Sequence, residues 1–132
     1  NKKLLVRASN YKSKPSQLND LIFALKICKH VKSNAIVLCK NKKTIGIGAG
    51  QMSRIDACKI AIKKCSTKEK QAGFVAASDA FFPFTDNIKL LLKNNCQAIV
   101  EPSGSINDGR IIEYVNKKKI PLYFSKNRFF KH

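Results

Sequence analysis

The chain has 132 residues with 44% hydrophobic content, which is one domain's worth and enough for a core without disulfide or metal staples. No stretch approaches the ~18 apolar residues that a membrane span needs. A formal net charge of +18 is the usual footprint of a nucleic-acid binder, yet only four basic residues are arginine and the other twenty-two are lysine, which lacks the planar fork suited to base and phosphate recognition.

In chain order, Leu4 to Val6 is a short apolar run, followed by a polar linker with Lys12, Lys14 and Pro15. Leu18, Leu21, Leu25 and Cys28 recur at helical spacing, with Pro15 and Ser16 near the start. Ala35 to Cys39 and Lys43 to Ile47 predict two strands around an Asn41-Lys42 hairpin turn. Met52, Ile55, Cys58, Ile62 and Cys65 form one stripe of the next helix. A lysine-rich loop then leads to a buried strand over Phe74 to Ala77. Asp86 is the expected cap of a helix reaching Asn95, with Ile88, Leu91 and Leu92 inward. Gln97 to Val100 is a strand, and Asn107 or Asp108 caps a helix with Ile111, Ile112 and Val115 inward. Ile120 to Phe124 is the last strand before a basic-aromatic tail that ends at His132. Such alternation predicts a layered α/β domain with helices covering a mostly buried sheet. There are no internal repeats. The chain starts at Asn1 with no signal-peptide pattern, and we read it as a piece of something longer.

Lysine travels here with abundant Asn, Ile and Phe, all encoded by AT-rich codons, so we read most lysines as drifted, solvated surface. The run Lys117 to Lys119 suits a helix end, where cations complement the dipole. A small basic nucleic-acid-binding module is the rival reading. Cys28, Cys39, Cys58, Cys65 and Cys96 form no C-x-x-C pair and read as reduced core thiols of a cytosolic protein.

Several loops carry candidate chemistry. Gly46, Gly48 and Gly50 lie between a strand and a helix, where backbone N–H groups can meet an anion; we read them first as a tight turn. They match neither a dinucleotide fingerprint nor a Walker A loop. Ser78 to Phe84, an Asp and three phenylalanines around a proline, follows a buried strand, where α/β folds place ligands. Its rings suit either stacking on a planar heterocycle or plugging the core beneath the next helix. Ser103-Gly104-Ser105 forms a second strand-end loop. His30 and His132 are the only histidines, and neither joins a nucleophilic triad or a metal-ligand pattern.

The segments SNAIV at Ser33 to Val37, TIGIGAGQMSR at Thr44 to Arg54 and SDAFFPF at Ser78 to Phe84 resemble, in that order, the C-terminal part of the AICAR transformylase family. That family forms the folate-dependent formyltransferase half of a bifunctional purine-biosynthesis enzyme. The resemblance extends through PSQLNDLIFALKICKHVK, EPSGSINDG and the terminal KNRFFKH, nearly the whole chain. It implies a cytidine-deaminase-like α/β unit over residues 1–132, the second of two in the transformylase domain. The N-terminal cyclohydrolase domain and the first unit are expected outside this chain.

The implied activity is formyl transfer from 10-formyltetrahydrofolate, the co-substrate, to the 5-amino group of AICAR. The product feeds purine synthesis in a cytoplasmic homodimer with no nucleic-acid or membrane partner and no metal. By position, Asn34, Arg54, Phe81 and Arg128 match AICAR-binding residues, and Ile55, Asp86, Ser105 and Ile106 match folate-contacting ones. The family's catalytic Lys-His pair belongs to the first unit. Lys29-His30 does not align with it, so no catalytic residue is expected here and the isolated chain should be inactive.

Overall fold

A computed structural model describes residues 4–126. Six strands alternate with five helices among these residues: β1 (Leu5–Arg7), α1 (Pro15–Cys28), β2 (Ile36–Lys40), β3 (Lys43–Gly48), α2 (Arg54–Lys64), α3 (Thr67–Ala72), β4 (Phe74–Ser78), α4 (Asp86–Lys93), β5 (Cys96–Pro102), α5 (Asp108–Lys117) and β6 (Leu122–Ser125). The strands form one mixed sheet in the order β1-β6-β5-β4-β2-β3. Its centre, β4-β5-β6, is parallel and is flanked by β2 and β1, each antiparallel to its inner neighbour. The predicted α/β class, a mixed sheet covered by helices, is what the chain adopts.

Each central strand is apolar nearly throughout because both of its faces are covered. Ile36, Leu38, Ala76, Ile99 and Leu122 join Ala57, Ile88, Leu91, Ile111 and Val115 in the core under α2, α4 and α5. The alternate residues Val37, Val75, Ala77, Ala98 and Val100 pack against Leu21, Ala24, Leu25 and Cys28 of α1 on the other face. All five cysteines are buried free thiols. Among the described residues no helix is long and apolar enough to cross a membrane.

Local chemistry sets the element ends. The β2–β3 turn places Asn41 and Lys42 at φ 52° and 58°, the pair of left-handed residues a tight hairpin demands. The buried carboxylate of Asp20 on α1 accepts both of their N–H groups, at 3.0 and 2.8 Å. On β3, Gly46 and Gly48 let α2 lie directly on the strand: a Cβ at either position would sit 2.1 Å from the Ala61 carbonyl oxygen or 1.8 Å from that of Ala57. The glycine cluster is therefore used for close packing, and Gly50, at φ 67°, for the turn that follows.

Three expectations need correction, and a fourth holds with a difference. The lysine-rich stretch after α2 is a helix, α3, started by a capping box in which Ser66 and Glu69 exchange bonds of 2.8 and 3.1 Å. It buries none of its residues, so it has no apolar period to reveal it. Met52 is 99% exposed and lies off the α2 stripe, which consists of Ala57, Cys58, Ala61 and Ile62. Thr85, not Asp86, holds the cap position of α4, and Asp86 sits in the first turn, where the helix dipole favours a carboxylate. Asn107 does hold the cap position of α5, although its side chain makes no cap bond.

Candidate functional site

Parallel strands β4 and β5 end on the same edge of the sheet. Because β2 runs antiparallel to β4, pairing Ile36 with Ser78, the residues just before β2 arrive at that edge too. The β2–β3 register pairs Ile36 with Gly48 and brings the β3–α2 connection there as well. Four connections and the starts of α2, α4 and α5 thus converge at one end of the sheet, the usual ligand position in such folds.

Asp79 ties the loop after β4 to the start of β2. Its carboxylate accepts the Ala35 N–H at 3.0 Å and the Ser33 hydroxyl, while its own N–H donates to the Ala35 carbonyl at 3.2 Å. The Ser33–Asn34 peptide is cis. Asn34 donates its backbone N–H and its Nδ2 to the Gln51 carbonyl, at 3.2 and 3.1 Å. That orients its Oδ1 to accept Arg54 Nη1 at 3.3 Å. The Arg54 guanidinium also lies 5.6 Å from the Phe81 ring centre, within cation–π range. Arg54 Nε is buried without a hydrogen-bond partner.

A depression of about 220 Å³ opens beside this group, lined by Asn34, Arg54, Ile55 and Asp86 together with Met52, Ser53, Pro83 and Asn87. Four of the eight residues matched to ligand-binding positions therefore share one concavity, and Phe81 adjoins it through Arg54. Ser105 and Ile106 lie on the neighbouring loop after β5 and do not line it. The Ser105 hydroxyl accepts the Asn107 N–H at 3.1 Å, and Ile106 is fully exposed. Arg128 lies outside the described residues, as does His132. His30 is an exposed residue just past α1. Among the described residues there is no cluster of three potential metal ligands.

Of the two roles considered for the phenylalanines of the loop after β4, the core plug is filled. Phe82 is buried at 1% exposure and plugs the core under α4, Phe81 is half-buried against Arg54, and Phe84 is 64% exposed. Asn107 Nδ2 donates to the Pro83 carbonyl at 2.8 Å and steadies the end of this loop.

Glu101, at the end of β5, was not singled out by sequence. It is fully buried, and its Oε1 accepts the Phe82 N–H at 2.7 Å. Burial pushes its carboxyl up to about 8, with the Phe82 N–H and the charge of Arg54 opposing and Asp108 reinforcing the shift. An acidic residue directly after the apolar run Ala98 to Val100 was the available signal. The larger cavity of about 530 Å³ lies at the other end of the sheet, between the last turns of α4 and α5, lined by Lys89, Lys93, Tyr114 and Lys118. Lysines there offset two helix C-terminal dipoles.

Comparison with known proteins extends these findings. Residues 1–64 match the model of the AICARFT/IMPCHase bienzyme family. The chain is 51% identical over 124 residues to the bifunctional purine biosynthesis protein PurH of Buchnera aphidicola, covering 92% of this chain and 23% of that protein. It is 50% identical over 123 residues to the PurH protein of Fusobacterium nucleatum, covering 92% and 24%. For the PurH protein of Prochlorococcus marinus strain MIT 9215, identity is 50% over 122 residues, covering 92% and 23%. The chain therefore spans about a quarter of the length of the curated relatives it matches, and its resemblance to this purine-biosynthesis protein runs through most of its sequence.

Proposed function

We propose that this chain is the second cytidine-deaminase-like unit of an AICAR transformylase, contributing ligand-binding residues to formyl transfer from 10-formyltetrahydrofolate to AICAR in purine biosynthesis. The observation that carries this reading is the Asn34–Arg54–Phe81 group beside a depression that Ile55 and Asp86 also line. A guanidinium beside an aromatic ring suits an anionic nucleotide with a planar heterocycle. Leaving a buried donor unpaired costs ~1–3 kcal/mol, so the orphan Arg54 Nε has reason to take a ligand acceptor. Asn34 offers a carboxamide to pair with a carboxamide.

Asp86 is the candidate partner for the folate pterin, with Ile55, Ser105 and Ile106 completing that side and Arg128 completing the AICAR side. The family resemblance assigns proton transfer at the amine to the Lys-His pair of the first unit, in a cytoplasmic homodimer whose sites form across subunits, and the depression is lined by no histidine or lysine. Loss of a positioned proton-transfer group typically costs ~10²–10⁴ in rate, and this chain alone is accordingly expected to bind without turnover.

The test is Arg54→Ala in the intact protein that carries this chain. Losing a charge-assisted hydrogen bond removes ~1.5–3 kcal/mol, so the AICAR KM should rise roughly ten- to a hundred-fold. Arg110→Ala, at an exposed position on α5, is the matched control and should change nothing. An AICAR KM unmoved by Arg54→Ala would overturn the assignment.

A further inference from the structure

We infer that Glu101 is a positioning residue for the nucleotide side of this site: by holding the Phe82 amide from inside the sheet, it sets the Phe81 ring against Arg54. The inference rests on the reading above and adds a residue that touches no ligand.

The loop from Asp79 to Phe84 is held at three points. Asp79 pins its start to β2, and Asn107 pins its end through the Pro83 carbonyl. Between them, the middle of the loop is gripped by a carboxyl oxygen of β5, with Phe82 N donating to Glu101 Oε1 at 2.7 Å. Phe82 and Glu101 are both fully packed, at 1% and 0% exposure. Phe81 is the adjacent residue, and it is the ring on which the Arg54 guanidinium lies.

Displacing the Phe82 amide therefore displaces the aromatic wall. An acidic residue in the core has no packing merit that leucine would not match, since burying a carboxyl costs free energy unless its bonds require it. Its second oxygen, Oε2, is buried without a partner, so Glu101 carries a desolvation penalty that an apolar residue would avoid. The charged groups that face it are Arg54 from the start of α2 and Asp108 from the start of α5. It thus acts on both the guanidinium and the loop whose Pro83 lines the depression.

The experiment compares Glu101→Leu, Glu101→Gln and Glu101→Asp in the intact protein. Glutamine keeps a carbonyl acceptor at the same reach, leucine removes it, and aspartate withdraws it by one methylene. With Glu101→Leu the AICAR KM should rise about tenfold, the scale of one lost hydrogen bond, while kcat and the folate KM stay within about twofold. Glu101→Gln should restore the AICAR KM, and Glu101→Asp should fall between.

Amide exchange of residues 80–84, read by mass spectrometry, should accelerate in the leucine variant and not in the glutamine variant. An unchanged AICAR KM in both the leucine and aspartate variants, or a glutamine variant as impaired as leucine, would overturn the inference. Should the leucine variant fail to fold, the aspartate and glutamine pair decides by the same criteria. Should the wild-type protein not act on AICAR, the proposed function falls, and the exchange comparison alone decides whether Glu101 positions the loop.

Discussion

Replacing Gly48 with alanine would probe the contact that fixes α2, and with it Arg54, against the sheet. The added Cβ would lie 1.8 Å from the Ala57 carbonyl oxygen and 2.7 Å from its carbon. Real Cβ contacts essentially never fall below 3.0 Å, so helix and strand must separate by more than 1 Å at this point. The obstacle is helix backbone rather than the tip of a flexible side chain, which places the cost at the top of the ~1–3 kcal/mol range for overpacking. For a domain of this size each kcal/mol moves the melting temperature by about 4 °C, so Gly48→Ala should melt about 12 °C lower. Gly109→Ala is the control. It stands in the first turn of α5 with nothing within 4 Å of the new Cβ, and it should hold or slightly raise stability through helix propensity. Thermal unfolding followed by circular dichroism reads both variants. A Gly48→Ala melting temperature within about 2 °C of wild type would refute the claim that the strand and helix backbones are locked together.

Glu101 also ties stability to pH. Its folded carboxyl titrates near 8 against an ordinary value of 4.5, so the unfolded chain ionises first and native stability drains away as pH rises from about 4.5 to 8. Glu101→Gln should match wild type at pH 4 and gain a few kcal/mol by pH 8; parallel urea-denaturation curves across that range would contradict this. Burial raises the thiols of Cys39 and Cys58 to about 12 and pushes Cys28, Cys65 and Cys96 upward as well. Iodoacetamide at pH 8 should therefore label none of the five quickly in the native chain and all five in denaturant; rapid native labelling of two or more would contradict the packing. If the lysines are solvated surface, duplex DNA should bind only in the ~10⁻⁴–10⁻⁶ M range at physiological salt, and a much tighter, sequence-selective complex would favour the nucleic-acid reading.

Much of the architecture was legible because buried strands and amphipathic helices leave apolar periods. Val37 and Leu38 read as strand for the same reason that both are fully buried on opposite faces. Helix α3 was not legible in that way, because its only signature is the polar pair Ser66 and Glu69. Met52 misled because its spacing fits the α2 stripe while the helix begins only at Arg54. At the site, Asn34, Arg54, Ile55 and Asp86 came from a family resemblance; what the fold adds is that residues from separate connections line one depression. Glu101 escaped because a lone acidic residue after an apolar run looks like the end of a strand reaching solvent. Only the topology, which places the Phe82 plug over it, keeps it dry.

The pairing of β1 with β6 joins Leu5 to Ser125 across the sheet edge, and the Lys126 N–H reaches the Leu4 carbonyl at 3.3 Å. The first and last described residues are thus neighbours, and closing that contact encloses almost the whole chain in a single loop. Its entropic cost grows only logarithmically with length, but such a contact forms late because it brings no reward until the interior is assembled. Joining positions 4 and 126 through a short glycine-serine bridge and opening the chain within the solvent-covered α3 would convert this long-range contact into a local one. Such a permuted chain should fold faster while keeping its edge strand and the arrangement around Arg54.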